Sequence, residues 1–253
     1  MMIEVLILSI IQGITEFLPI SSSSHLILIS NYLNFENQSL SIDISLHIGS
    51  FIAVMTYFGK DIINYTKNKV LFLKIIISSL PIMFFGYFLI KYSLLDQVRT
   101  IKIIGWTTVV FGILLFISDK FKIDKRLDKN FSMKSAIFIG VFQILSLIPG
   151  VSRSGITITA SRLLNFNRFD SAKISFLLSI PTLGAVTLFG LNSLIQSENI
   201  NFSLLNLMSI VLSFMFSFFT IKFFLRYIEK FSLKVFVLYR IFLGIIILFI
   251  AYL

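Results

Sequence analysis

Six long apolar stretches limit what this chain can fold into. A helix needs about 20 apolar residues to cross the hydrocarbon core of a bilayer. Six segments reach or approach that length: residues 46–59, 71–91, 103–118, 174–192, 203–223 and 235–252. The first is short, and we expect it to extend into its flanks. Only 13% of the residues are charged, against about 25% in soluble domains. We therefore predict an all-α integral membrane protein with six transmembrane helices.

Two further apolar stretches are interrupted by polar residues. They cover residues 3–33 and 133–163, and each holds a glutamine, then a proline, then a run of hydroxyl-bearing side chains. Proline ends a helix because it has no N–H and clashes with the preceding turn. Broken backbone at membrane depth is tolerated only where it is buried in protein or lines a wet cavity. Each stretch is therefore predicted to be a re-entrant helix–break–helix hairpin.

The two hairpins, and the spans that follow them, form an internal repeat. Residues 17–22 resemble residues 147–152, which lie 130 positions later. We predict a single membrane domain, residues 1–253, with repeat one at about 1–118 and repeat two at about 133–253. Each repeat has one hairpin and three spans, and an odd number of spans inverts the second copy. Inverted repeats with broken helices bring their breaks together near the midplane.

The basic residues indicate how the chain is oriented. Loops 60–74, 119–134, 162–173 and 222–234 hold 17 of the 22 Lys and Arg residues, so we assign them to the cytoplasm. This pattern accounts for the net charge of +10. No soluble domain remains to present a basic face, so nucleic acid is excluded as a partner.

The chain has no cysteine, which rules out disulfides and thiolate metal sites. The first four residues include no Lys or Arg, so we expect no cleaved signal peptide.

The first hairpin carries a carboxylate. Gln12 and Glu16 are four residues apart and share one face of a helix. A carboxylate at the bilayer centre costs about 2.5–3.5 kcal/mol, so Glu16 needs a cation, a polar cavity or a partner. A cation-binding or acid–base role is favoured, and a structural ion pair stays open. The serines at 21–24 cap the next helix, whose free N–H groups make an anion site. His25, which follows them, titrates near neutral pH.

The second hairpin carries an arginine. Arg153 offers planar, multidentate donors that suit phosphate oxygens. Ser152, Ser154 and Thr157 add hydroxyl groups around it. An ion pair between Arg153 and Glu16 is the alternative, and it is compatible with a phosphate site. Together the two hairpins favour a phosphate or diphosphate substrate with a divalent cation, because phosphoryl transfer needs charge neutralisation, positioning and a proton carrier.

Two other ionisable residues lie near the predicted spans. We interpret His47, at the start of the first span, as an interfacial or packing residue. We interpret Arg240, early in the last span, as a structural partner or as a side chain that extends to the cytoplasmic interface. A role for Arg240 in the cavity stays open.

These motifs resemble those of the undecaprenyl-diphosphate phosphatases linked to bacitracin resistance. The first motif spans residues 12–25 and the second spans residues 149–157, and the length and repeat layout agree along the whole chain. The chain departs from the family pattern at two positions. Gln12 stands where the family can have Glu, which leaves one carboxylate in this helix. Ser24 stands where the family often has Gly.

The resemblance implies an enzyme of bacterial cell-wall synthesis. It implies hydrolysis of undecaprenyl diphosphate to undecaprenyl phosphate and phosphate, dependence on Mg2+ or Ca2+, and a site open to the outer face of the plasma membrane. Carried over by motif, Glu16 and Gln12 hold the cation. The catalytic set is Glu16, His25, Ser22 and Arg153, and the diphosphate contacts are Ser21, Ser152, Arg153, Ser154 and Thr157.

Three points stay open at the level of sequence. Ser22 with His25 as its base is the favoured nucleophile, but attack by His25 itself or by an activated water also fits. The expected partners are the polyprenyl diphosphate and membrane lipid, and a homodimer stays open. A lipid-phosphate transporter or flippase is the rival function, since inverted repeats with broken helices are typical of transporters.

Overall fold

Almost every described residue of this chain lies in a helix. The computed structural model describes residues 2–33, 39–67, 69–92, 98–121, 123, 125–196 and 203–253. Within these ranges no β-strand forms. The helices are α1 Met2–Thr15, α2 Ser22–Leu33, α3 Leu40–Tyr57, α4 Gly59–Lys67, α5 Lys69–Lys91, α6 Ile101–Asp119, α7 Leu127–Asn130, α8 Met133–Ile144, α9 Arg153–Leu163, α10 Arg168–Gln196, α11 Leu204–Lys230 and α12 Lys234–Tyr252, with a 3-10 turn at Leu145–Leu147.

Six of these helices are long and apolar enough to cross a membrane. They are α3, α5, α6, α10, α11 and α12, which confirms the predicted all-α fold with six spans. The first span begins at Leu40 rather than at residue 46, because the Ser39 side chain caps the helix by accepting the Ile42 N–H. The polar residues of this first turn have a partner, since the Asn206 amide of α11 donates to Ser41 and to Ser45. A hydropathy criterion alone does not assign this first turn to the span, because its polar side chains lower the mean hydropathy even though they are hydrogen-bonded.

Small residues let the helices approach closely. α3 packs against α10 and α11, α12 packs against α6, and α1 packs against α11. A methyl group at Gly13 would lie 2.5 Å from Phe216 Cβ, and one at Gly49 would lie 2.4 Å from the Ile210 carbonyl oxygen. The Ser50 hydroxyl lies between the hydroxyls of Ser213 and Ser217, at 3.2 and 3.0 Å. Close backbones and buried hydroxyl contacts of this kind hold helices together inside a membrane.

A buried charge cluster fixes one end of the helix bundle. Asp119, at the end of α6, accepts hydrogen bonds from Arg168 Nε at 2.7 Å and from the Leu233 backbone N–H at 3.3 Å. The fully buried Arg162 donates to the carbonyls of Phe166 and Asp119. The ends of α6 and α9 and the starts of α10 and α12 are therefore tied at one point.

Two helix–break–helix segments, α1–α2 and α8–α9, are present where the hairpins were predicted. α1 ends at Thr15, four residues before Pro19, because residues 16–20 form turns. Each second helix is preceded by a serine with positive φ, +73° at Ser21 and +72° at Ser152. These serines are 131 positions apart rather than 130, since the second break has one more residue between proline and serine. The re-entrant course of the hairpins through a bilayer stays a prediction.

Candidate active site

The two breaks contact each other directly. The Ser154 hydroxyl of the second hairpin donates to the Leu18 carbonyl of the first at 2.7 Å. Arg153 Nη2 donates to Glu16 Oε1, also at 2.7 Å. The ion pair that was the alternative to a phosphate site is therefore present, and it joins the two hairpins at their breaks.

Glu16 is the centre of a buried polar cluster. Its side chain is 7% exposed. While Arg153 binds Oε1, the other oxygen, Oε2, accepts from the Ser22 hydroxyl at 2.7 Å and from Gln12 Nε2 at 3.1 Å. Gln12 reaches Glu16 because the helical hydrogen bond from the Glu16 N–H to the Gln12 carbonyl continues one residue past α1. The four-residue spacing thus does place both side chains together.

A cavity of about 200 Å³ lies beside this cluster. Polar and apolar side chains both line it. The polar wall includes Glu16, Ser21, Ser22, His47, Ser152 and Arg153, and the apolar wall includes Ile82, Leu183 and Val186. Val186 is 47% exposed, so the apolar wall continues to the surface of the helix bundle. Such a cavity suits a molecule with a polar head and an apolar tail.

The predicted hydroxyl ligands divide into two groups. Ser21 and Ser152 line the cavity together with Arg153. Ser154 and Thr157 do not line it. Ser154 donates to the first hairpin, and the Thr157 hydroxyl donates to Ser175 Oγ of α10 at 2.7 Å. In this structure Ser154 and Thr157 hold the second hairpin in place, and their predicted contact with a diphosphate stays a prediction.

His25 lies next to the cavity but faces away from it. Its Nδ1 is 2.6 Å from the Ser21 carbonyl, and its Nε2 is 2.6 Å from the Tyr239 hydroxyl. Its ring stacks on that of Tyr239. His25 is absent from the cavity wall, and Ser22 is hydrogen-bonded to Glu16 rather than to His25. A direct catalytic role for His25 stays a prediction, and the geometry gives it a different contact: it holds the backbone at the break.

His47 is a cavity residue that the sequence interpretation missed. It lines the polar wall, and its Nδ1 is 3.1 Å from Gln12 Nε2. The interpretation of His47 as an interfacial or packing residue did not include this place on the cavity wall. One signal was available, since an ionisable side chain within a membrane helix is by default a functional hypothesis.

Arg240 joins the two hairpins from α12. Its guanidinium is fully buried and donates to carbonyl oxygens of both breaks: Pro19 at 3.2 Å, Val151 at 3.1 Å and Gly150 at 2.7 Å. It also donates to the Thr108 carbonyl of α6 at 3.2 Å. The prediction of a structural partner is therefore confirmed, and extension to the cytoplasmic interface was wrong.

Comparison with known proteins places this architecture in one family. The family model described as "Bacitracin resistance protein BacA" matches residues 5–246. The chain belongs to the BacA family. The match includes five of the six spans in full, most of the sixth, and both breaks, and it confirms the resemblance drawn from the two motifs.

Curated relatives agree with this assignment. The undecaprenyl-diphosphatase of Pelagibacter ubique (strain HTCC1062) is 52% identical over 252 residues, which cover 99% of this chain and 98% of the relative. The undecaprenyl-diphosphatase of Jannaschia sp. (strain CCS1) is 37% identical over 260 residues, with 97% of each chain covered. That of Alcanivorax borkumensis is 38% identical over 259 residues, with the same coverage. None of these three is named a transporter.

The cavity of this BacA family member offers few ligands for a cation. In the described ranges no three acidic or histidine side chains cluster to hold a metal, and Glu16 is the carboxylate on the cavity wall. Gln12 Oε1 is buried without a partner in the described part of the chain. One carboxylate and one free amide oxygen fit a Mg2+ or Ca2+ ion whose remaining ligands are water and substrate phosphate. The donor set therefore suits a cation that arrives with a diphosphate.

Proposed function

We propose that this BacA family member hydrolyses undecaprenyl diphosphate to undecaprenyl phosphate and phosphate. The relatives named above carry this activity in their names. The observation that carries the proposal is the convergence of Ser22 and Arg153 on Glu16 beside a half-apolar cavity. A nucleophile, a proton acceptor and an oxyanion ligand thus lie within one hydrogen-bonded group.

The diphosphate binds through Arg153 and the helix N-termini of α2 and α9. Arg153 Nη1 is buried without a protein partner in the described ranges, so it is available to a phosphate oxygen. Free N–H groups at the start of a helix favour anions, and the helix that begins at Arg153 starts on the cavity wall. A diphosphate carries more negative charge than Glu16 and competes with it for the guanidinium.

Ser22 attacks the terminal phosphorus. A bond forms from Ser22 Oγ to phosphorus, the bond from phosphorus to the bridging oxygen breaks, and undecaprenyl phosphate leaves. The Ser22 proton passes to Glu16, whose Oε2 lies 2.7 Å from the hydroxyl. A water molecule then attacks the phosphoserine and releases phosphate, while Ser22 recovers a proton from Glu16. One water is consumed in total.

We propose Glu16, rather than His25, as the general base, and the contacts of the two side chains support this choice. Both ring nitrogens of His25 have partners, the Ser21 carbonyl and Tyr239. His25 therefore acts by holding Ser21, the residue before the nucleophile. Glu16 and Gln12 Oε1 would be the protein ligands of a divalent cation, which would supply additional charge neutralisation at the diphosphate.

The site opens to the outer face of the bacterial plasma membrane. This orientation rests on the 17 of 22 basic residues in the loops assigned to the cytoplasm. The prenyl chain lies along Ile82, Leu183 and Val186 and leaves the cavity where Val186 is exposed.

A phosphate-release assay in detergent tests the proposal. Purified protein is mixed with a polyprenyl diphosphate, with and without chelator, and free phosphate is measured. We expect release by the wild type, a loss of at least about 100-fold in Ser22→Ala and Arg153→Ala, and normal release by Ser193→Ala, whose hydroxyl donates to the Phe189 carbonyl of its own helix. A pure transporter would release no phosphate, and near-normal turnover in Arg153→Ala would overturn the site assignment. Full activity in the presence of chelator would exclude a divalent cation from the proposed mechanism.

A further inference from the structure

We propose that His47 is a further substrate-contacting residue, which donates a hydrogen bond from Nε2 to a diphosphate oxygen. This inference rests on the proposed function and adds a residue to its site. His47 comes from α3, a span that supplies no other polar residue to the cavity wall.

The hydrogen bonds of Gln12 determine which nitrogen of His47 carries the proton. Glu16 is paired with Arg153, so its oxygens accept hydrogen bonds and the Gln12 amide nitrogen must be the group that faces it. The same nitrogen lies 3.1 Å from His47 Nδ1. An amide nitrogen only donates, so Nδ1 accepts and the ring proton sits on Nε2.

The Nε2–H group of His47 is then a free donor at the cavity. Its two neighbours in the sequence, Leu46 and Ile48, are apolar, and Gln12 is its hydrogen-bond partner in the described part of the chain. The ring lines the same cavity as Ser22 and Arg153. With Nδ1 held by Gln12, the opposite edge of the ring is left for a ligand, and its N–H can donate to a phosphate oxygen.

The two histidines of the chain are thereby assigned opposite tautomers. The Ser21 carbonyl can only accept, so His25 carries its proton on Nδ1, and its Nε2 accepts from the Tyr239 hydroxyl. His47 carries its proton on Nε2. Because the chain has only two histidines, the two rings can be told apart in one spectrum.

Nitrogen NMR of the histidine side chains tests the assignment without any turnover. The full-length protein is labelled with 15N-histidine, held in detergent at alkaline pH, and the rings are assigned with His47→Gln. We expect one ring protonated at Nδ1 and one, His47, protonated at Nε2. Addition of methylenediphosphonate should shift the His47 Nε2 signal and leave the His25 signals unchanged. An Nδ1 tautomer at His47, or no shift on ligand addition, would overturn the proposal.

Kinetics of phosphate release provide the second measurement. His47→Leu removes the donor and keeps the apolar bulk, and we expect kcat/KM to fall about 10- to 100-fold, as for a lost hydrogen bond to a charged group. His47→Gln keeps an amide donor and should recover most of that loss. Ile48→Leu, the next residue of α3, is the matched control and should behave as the wild type.

The outcomes separate this inference from the proposed function. His47→Leu with wild-type kcat/KM, or His47→Gln no better than His47→Leu, refutes the role of His47 while phosphate release by the wild type stands. Absence of wild-type phosphate release refutes the proposed function, and the NMR shift then decides independently whether His47 binds a diphosphate.

Discussion

Replacing Arg240 should disturb both hairpins at once, and the structure gives the size of the effect. In Arg240→Met the carbonyls of Pro19, Gly150 and Val151 lose their donor. A buried group left unsatisfied costs about 1–3 kcal/mol, so three such groups cost at least about 3 kcal/mol. In the described ranges the Arg240 guanidinium has no carboxylate partner. The change removes this buried charge, which offsets part of the cost.

The net result should be a modest loss of stability and a large loss of activity. We expect the free energy of unfolding to fall by about 1–4 kcal/mol, a shift of roughly 2–4 °C in melting temperature per kcal/mol for a chain of this size. Turnover should fall about 100-fold or more, because an error of about 1 Å in catalytic geometry has that effect. Arg240→Lys should be intermediate, since one ammonium cannot reproduce the planar fork of arginine.

Thermal unfolding in detergent and phosphate release measure the two effects separately. Arg226→Met is the matched control, because that arginine lies exposed on α11 and should change neither quantity. An Arg240→Met variant with the melting temperature and turnover of the wild type would refute the reasoning. If activity falls only in proportion to the amount of folded protein, the role of Arg240 is purely structural.

Three further changes have expected outcomes. Gly150→Ala should abolish activity and lower the melting temperature, since Gly150 has φ +92° and an added methyl group would meet Thr107 Oγ1 at 2.0 Å, whereas Gly59→Ala, with nothing within 4 Å, should be silent. Glu16→Gln should reduce phosphate release about 100-fold or more in the same assay, because an amide cannot accept the Ser22 proton; retained turnover would exclude Glu16 as the base. Asp119→Asn should lower the melting temperature by several degrees while kcat/KM of the remaining folded protein stays near the wild-type value, since the carboxylate ties helix ends away from the cavity.

The spans and the breaks could be predicted because each depends on local composition. Twenty apolar residues form a membrane helix whatever lies beside them, and a proline followed by serines ends one helix and caps the next. The direction of a side chain depends on distant residues instead. His25 turns towards Tyr239, which is 214 positions away, and Arg240 binds backbone carbonyls, which have no signature in a sequence. The sequence marks His47 as an ionisable side chain within a span, but its contact with Gln12, 35 positions away, is visible only in the folded chain.

The ion pair between Glu16 and Arg153 explains why the site is divided between the two hairpins. Each group alone would cost about 2.5–3.5 kcal/mol at the centre of a bilayer, and the pairing at 2.7 Å offsets part of that penalty only when the two hairpins are in contact. Ser154 bonds across the same junction, and Arg240 donates to carbonyls on both of its sides. Formation of the site and docking of the hairpins are therefore one event. A variant that separates the hairpins should lose activity before the six long helices unfold, since these helices are held together by apolar and small-residue contacts of their own.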